Sequence, residues 1–187
     1  MKHPHYFIAL KLPKEVKYKL YNCCEKLKKQ FSFSKWVHME DYHLTLAFLG
    51  ALSNDQLTLT CEYVEAATKA EESFTLAVNK MGIFGNVQAP RVFWADVEKE
   101  KRLFSLQKKV YNACINAGCQ LETRPFCPHI TLARKWRGIE HFDLEMINST
   151  LINKKRLEFL VEHVVLYKTN IEKVPKYEPL KVFRLQS

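Results

Sequence analysis

No stretch of this 187-residue chain approaches the ~20 consecutive apolar positions that a membrane-spanning helix needs. Six cysteines are present, but none forms a C-x-x-C pair, so neither a zinc ribbon nor a thioredoxin-type centre is expected. Glycine and proline are few, at five and seven, and no run rich in them or in serine divides the chain. Nor is any segment of low complexity. The opening Met1-Lys2-His3-Pro4-His5 runs straight into an apolar segment and lacks the layout of a cleaved signal peptide. These absences predict a single cytoplasmic domain over 1–187, its thiols reduced and serving mostly as small hydrophobes. With 47% hydrophobic and 26% charged residues, the chain is ordinary for a folded domain and long enough for a substantial core.

Charge is the first positive signal. Lys and Arg number 29 against 20 Asp and Glu, a formal +9. Such an excess favours polyanionic partners, whether RNA, DNA or an acidic membrane, although a solvated lysine face explains it equally well. Part of it is local. Val16, Leu20, Cys23/Cys24, Leu27 and Phe31 recur at helical steps after Pro13, while Lys14, Lys17, Lys19, Lys26, Lys28 and Lys29 fall largely on the other faces.

Along the rest of the chain, strand-like and helical patterns alternate. Tyr6 to Leu12 reads as an opening strand and His43 to Leu49 as a second, ending at Gly50. Ser53 with Gln56 forms a capping box ahead of a helix carrying Leu57, Cys61, Val64 and Thr68. Phe74 to Phe84 and Arg91 to Val97 read as paired strands. A third helix bears Leu103, Leu106, Val110, Cys114 and Ala117 and stops at Gly118. His129 to Ala133, Arg156 to Tyr167 and Tyr177 to Leu185 supply later strands, with 140–152 ambiguous and read as a short helix. The pattern predicts an α+β or α/β chain. Each half also runs from a long amphipathic helix, through an aromatic loop residue, to a strand opening His-x-Thr-Leu-Ala, which hints at duplication.

Those two motifs, His43-Leu44-Thr45-Leu46 and His129-Ile130-Thr131-Leu132, carry the most chemistry. On a strand, side chains two apart share a face. His43 and Thr45 therefore point one way and Leu44 and Leu46 the other; His129 and Thr131 repeat this against Ile130 and Leu132. Two such strands side by side would surround one small volume with two imidazoles and two hydroxyls. That set suits in-line displacement at phosphorus: one imidazole accepts a proton, the other gives one, and the hydroxyls hold non-bridging oxygens. No metal or other cofactor is required. A chance pair of such motifs is a roughly one-in-a-thousand event on composition.

The paired His-x-Thr motifs resemble those of the two-histidine phosphoesterase superfamily. The stretches His43-Leu-Thr-Leu-Ala-Phe-Leu-Gly50 and Arg124-Pro-Phe-Cys-Pro-His-Ile-Thr-Leu-Ala-Arg134 are similar to its LigT-like, RNA 2′,3′-cyclic phosphodiesterase branch, as are Phe7-Ile-Ala-Leu and Pro90-Arg-Val-Phe-Trp94. The likeness covers about the first three-quarters of the chain. Cys127 departs from the pattern, which often has histidine there. The resemblance implies an α+β fold of two pseudo-symmetric lobes, each an antiparallel sheet with helices, with the active-site cleft between them. It further implies metal-independent opening of cyclic phosphates at RNA 3′ ends, or of small cyclic nucleotides, to 2′-phosphomonoesters. In that pattern His43 is the proton donor and His129 the acceptor; the residues alone do not separate the two roles. No obligate protein partner is implied.

Supporting candidates are less sharply marked. Arg134 can meet phosphate in bidentate fashion, but strict alternation turns it away from His129, so it needs a strand end or a bulge to reach the site. Arg91 and Lys135 are weaker cations. Trp36, Phe48, Phe84 and Phe126 lie near the motifs; Trp36 and Phe126 are the better candidates for stacking a terminal base, while Phe48 alternates onto the core face. His3, His5, His38, His141 and His163 have no partner at metal-ligand spacing and read as surface or loop residues. Two other functions stay open: related chemistry on 2′-5′ linkages, nucleotide cyclic phosphates or RNA end joining, and a non-catalytic RNA-binding module.

Overall fold

In the computed structural model, the described residues are 4–139, 142–152 and 156–187. The expectations for His3 and His141 lie outside them. Among the described residues, nine strands form one antiparallel sheet: β1 (Tyr6–Lys11), β2 (Phe33–Trp36), β3 (His43–Gly50), β4 (Phe74–Gly85), β5 (Pro90–Val97), β6 (His129–Trp136), β7 (Leu157–Val161), β8 (His163–Thr169) and β9 (Tyr177–Arg184). The helices are α1 (Lys14–Leu27), α2 (Asn54–Thr68), α3 (Lys101–Asn116) and α4 (Leu144–Ile152), with a 3₁₀ turn at Met39–Asp41. The fold is α+β, one of the two classes the patterns left open and the one the resemblance implied.

Strand order runs β7-β4-β5-β6-β3-β1-β8-β9, with β2 added beside β6. Each half of the sheet carries its histidine strand, β6 or β3, at the inner edge. The halves join at one residue pair, Leu44 opposite Ile130. Beyond that point β2 takes over as the neighbour of β6, placing Lys35 opposite Arg134 and Trp36 opposite Ala133. The segment from Arg156 to Tyr167, read as one strand, is two, and β2 was not foreseen at all.

One face of the sheet is covered by the helices. Val16 and Leu20 of α1, Val64 of α2 and Leu103, Leu106 and Val110 of α3 share a buried cluster with Leu44, Leu46, Ile130 and Leu132. That cluster spans both halves of the sheet. Full burial of such side chains stabilises the fold by about 1.5–3 kcal/mol each. The capping box expected at Ser53 and Gln56 starts α2, and Gln56 also donates to the Gly118 carbonyl at 2.9 Å, tying α2 to the end of α3. No helix among the described residues is long and apolar enough to cross a membrane.

Both histidine strands are bulged at the same place. β1 pairs Ile8 with Ala47 and Ala9 with Thr45, leaving Leu46 extra. β5 pairs Phe93 with Ala133 and Trp94 with Thr131, leaving Leu132 extra. A bulge inserts one residue and so reverses the alternation beyond it. Phe48 and Arg134, each five residues after its histidine, consequently emerge on the histidine face. The core position expected for Phe48 is therefore corrected: it is 56% exposed. The bulge that Arg134 needed is present.

Candidate active site

The pairing of Leu44 with Ile130 centres a local two-fold arrangement on the open face. Stepping out along the two strands, His43 lies beside Thr131, and Thr45 beside His129. The imidazoles are thus diagonal neighbours, a relationship that puts residues about 7–8 Å apart on a regular antiparallel ladder, with their Cβ atoms somewhat closer. The local symmetry extends to their supports. His43 Nδ1 meets the Asp41 carbonyl at 2.7 Å, and His129 Nδ1 meets the Cys127 carbonyl at 2.8 Å. A carbonyl only accepts, so each Nδ1 carries its hydrogen. Each Nε2 is left with the lone pair in the neutral ring and a proton to give in the cation.

Electrostatics distinguish the two rings. Burial pushes the His43 pKa down to about 4, against the Asp41 carbonyl, which raises it; His129, Lys17 and Lys176 add repulsion. His129 is lowered too, chiefly by burial and partly by Arg134, while the Cys127 carbonyl and Asp96 act in the opposite sense. Asp96 is the cross-strand partner of His129. With ordinary imidazole pKa near ~6.5, both rings are neutral at neutral pH in the free protein, and His129 has the anionic neighbour.

Aromatic walls enclose both rings. Around His43 stand Phe7 at 4.7 Å and Tyr177 at 5.0 Å between ring centroids, with Tyr167 stacked on Phe7 at 5.2 Å. Around His129 stand Phe84 at 4.9 Å, edge-on, and Trp94 at 6.0 Å. The Trp94 ring lies over Gly82, where a Cβ would fall 2.3 Å from its Cη2 atom. Glycine opposite Trp94 is therefore a requirement of packing.

The His43 side has a further brace. Lys17, on α1 and 6% exposed, donates to the Glu40 carbonyl at 2.6 Å and pairs with its carboxylate at 3.2 Å. The next residue, Asp41, is 4% exposed and accepts from the backbone amides of Lys176 and Tyr177 at 3.0 and 3.1 Å. One 3₁₀ turn thus fixes both His43 and the segment bearing Tyr177. Arg134 acts electrostatically on His129, Lys176 and Tyr177, which places its charge within the site.

Other sequence candidates fall elsewhere. Trp36 packs edge-on against Phe33 at 5.5 Å and Phe93 at 6.4 Å and lines a neighbouring groove. Phe126 meets Phe104 of α3 at 5.6 Å. Neither aromatic has a ring contact with a motif histidine, whereas Phe84 does. Arg91 leaves β5 on the face opposite Trp94, and Lys135 is exposed with φ at 60°. His38 caps the 3₁₀ turn, accepting from the Glu40 amide at 3.3 Å, and His5 lies against Phe48 at 5.8 Å. Cys24, Cys114 and Cys119 are buried, but Cys127 is exposed and serves through its carbonyl. Among the described residues, no group of three or more His, Cys, Asp or Glu side chains could hold a metal ion. Phe7, Trp94, Asp41, Tyr167, Lys176 and Tyr177 were missed as site residues. Phe7 and Trp94 do lie in the stretches that carried the resemblance.

The sequence matches the LigT-like phosphoesterase family over residues 10–94 and 96–177. Among curated relatives, an RNA 2′,3′-cyclic phosphodiesterase of Geobacillus stearothermophilus is 42% identical over 185 residues, 99% of this chain and 58% of the relative. The chain thus spans little more than half of that relative's length. The Bacillus subtilis protein of the same description is 34% identical, with 97% of each chain covered. A solved structure from Thermus thermophilus superimposes with a TM-score of 0.80 at 26% identity, covering 98% of both chains. E. coli LigT, solved with 3′-AMP, does so at 0.77 and 24%, over 99% of this chain and all of its own. Through motifs, fold and relatives alike, the chain belongs to the LigT-like phosphoesterase family.

Proposed function

We propose that this protein hydrolyses the 2′,3′-cyclic phosphate at RNA 3′ ends to a 2′-phosphomonoester, without a metal, with His43 and His129 as its acid–base pair. One observation carries the reading: two imidazoles, diagonal across the Leu44–Ile130 pair, each have Nδ1 committed to a carbonyl and Nε2 left for a reactant. Relatives described as RNA 2′,3′-cyclic phosphodiesterases lend the substrate class.

In the roles the family resemblance implies, His129 Nε2 takes a proton from the attacking water as the new P–O bond forms. His43 Nε2–H gives its proton to the 3′ oxygen as the P–O3′ bond breaks. The phosphate stays on O2′, and the pair ends with its charges exchanged: His43 is neutral, having protonated O3′, and His129 is cationic, holding the proton from water. Thr45 and Thr131 donate to non-bridging oxygens and hold the phosphate in line. Arg134 offers a planar fork to the same oxygens.

His43 is neutral in the free protein, so the proton it donates has to be held by the complex. An anionic cyclic phosphate beside the ring supplies that, since a nearby negative charge favours imidazolium. The two aromatic walls offer stacking surfaces for the terminal base and shield the site from water.

The direct test is incubation with an oligonucleotide ending in a 2′,3′-cyclic phosphate, with the product resolved by isomer. A 2′-phosphate is expected. A 3′-phosphate product, or an unchanged cyclic end, contradicts the reading.

A further inference from the structure

Beside the catalytic cleft runs a second concavity that the reaction at the cyclic phosphate does not use. It is a groove of about 570 Å³ between α1, β2 and the 3₁₀ turn on one side and the β8–β9 loop on the other. That volume lies within the ~300–1,000 Å³ usual for ligand sites. Its lining is basic: Lys28, Lys35, Lys173 and Lys176 all face it. The one carboxylate there, Asp41, is committed to the amides of Lys176 and Tyr177. Lys28 is paired with Glu25, but Lys35, Lys173 and Lys176 have no ion pair among the described residues.

The groove is also apolar where a base needs it to be. Trp36 lines it, with the Lys28 ammonium over its ring at 5.8 Å from the centroid. Across from it the β8–β9 loop carries Ile171 and Val174, 70% and 79% exposed, an apolar surface with no intramolecular reason to face water. Lysines interleaved with an aromatic ring are the pattern that tracks a single-stranded nucleic acid, with cations for phosphates and a π-face for an unpaired base.

The groove adjoins the histidine site through Asp41, which lines it and whose carbonyl accepts from His43 Nδ1 at 2.7 Å. Lys176, held to the Asp41 carboxylate by its amide, lines it too. Lys35 sits directly opposite Arg134 in the β2–β6 pairing, so the two side chains leave the sheet on one face. Positive side chains therefore stand both at the site, on Arg134, and in the groove, on Lys35 and Lys176.

We infer that this groove binds the single-stranded RNA immediately upstream of the cyclic-phosphate end, its phosphates on Lys35, Lys173 and Lys176 and one base against Trp36. This rests on the proposed phosphodiesterase reading and adds to it a preference for oligonucleotides over mononucleotides. Two substrates separate the claims: an octaribonucleotide with a 2′,3′-cyclic end, and adenosine 2′,3′-cyclic phosphate. For the double variant Lys35→Ala/Lys173→Ala, both positions being exposed, KM for the octamer should rise about ten-fold while the mononucleotide rate moves less than two-fold. The slope of log Kd against log salt for a 5′-fluorescein octamer should fall by about 1.4, at ~0.7 per phosphate contact on a single strand. A control pair far from the groove, Lys69→Ala/Lys108→Ala, should change neither.

Equal effects on both substrates, equal effects of the control pair, or no effect on the octamer would overturn the groove. If the wild-type protein turns over neither substrate, the phosphodiesterase reading fails by itself. The anisotropy titration then decides the groove: weaker, less salt-dependent binding by the variant supports it, and unchanged binding overturns it.

Discussion

Asp41 holds His43 through its backbone and the neighbouring loop through its side chain. Its carbonyl accepts the His43 Nδ1 proton at 2.7 Å, and its buried carboxylate accepts from the amides of Lys176 and Tyr177. Tyr177 in turn packs edge-on against the His43 ring at 5.0 Å. Asp41 therefore acts on the reaction by positioning His43, through its own backbone and through the loop it anchors. Replacing it with Asn keeps the carbonyl and weakens the loop anchor by removing a charged acceptor, a change of about 1.5–3 kcal/mol. The expected result is a kcat lower by about 10- to 100-fold, since small displacements of a reacting group are costly. KM for a mononucleotide should move little, and the acid limb of the pH profile should shift as His43 gains mobility. Steady-state kinetics across pH check this, and a stability loss with an unaltered profile would leave Asp41 merely structural.

The pH dependence carries a definite sign. Burial lowers both imidazole pKa values, His43 to about 4, so in the free protein the singly protonated pair is most populated on the acid side of ordinary histidine. The kcat/KM profile, which reports free enzyme, should peak below pH ~6.5. A bound phosphate anion raises both values, so the kcat profile should peak at higher pH than kcat/KM. A kcat/KM optimum at pH 8 or above runs against the scheme.

Arg134 reaches the histidine face because Leu132 is bulged. Its removal by Arg134→Ala should cost kcat/KM the worth of a charge-assisted hydrogen bond, about 1.5–3 kcal/mol or ~10–150-fold. Arg134→Lys should recover only part, because an ammonium cannot reproduce the fork. Full recovery by lysine would mean that Arg134 supplies charge alone.

Gly82 tests the wall around His129. A methyl at this position meets Trp94 Cη2 at 2.3 Å, and Trp94 is itself in ring contact with Phe84 and His129. Gly82→Ala should destabilise the fold by about 1–3 kcal/mol and lower activity together. Thermal unfolding read alongside turnover measures both. Wild-type values for each would show that the ring has room to move.

How far the sequence leads is clearest at the two motifs. Alternation put His43 with Thr45 and His129 with Thr131 on one face, and their leucines in the core, because a period of two is a local property of strands. It failed two residues later. The bulges at Leu46 and Leu132 arise from register with β1 and β5, which no local pattern records, so Phe48 was expected inside and Arg134 stayed conditional. The capping box at Ser53 was legible because every atom it needs lies within four residues. Tyr167, Lys176 and Tyr177 were not legible, since only the pairing of β8 with β1 and the reach of Asp41 bring that distant segment to His43. Trp36 and Phe126 show the converse: proximity to a motif in sequence placed neither ring on a histidine.

The central claim is that His43 and His129 act on a single phosphate as one unit. Single-turnover cleavage of a 2′,3′-cyclic-phosphate oligonucleotide by His43→Ala, His129→Ala and the double variant, with and without EDTA, tests it most directly. Each single variant should lose about 10²–10⁴ in rate, the double should be little worse than either, and EDTA should change nothing. Full activity in either single variant, or losses that multiply in the double, would contradict it.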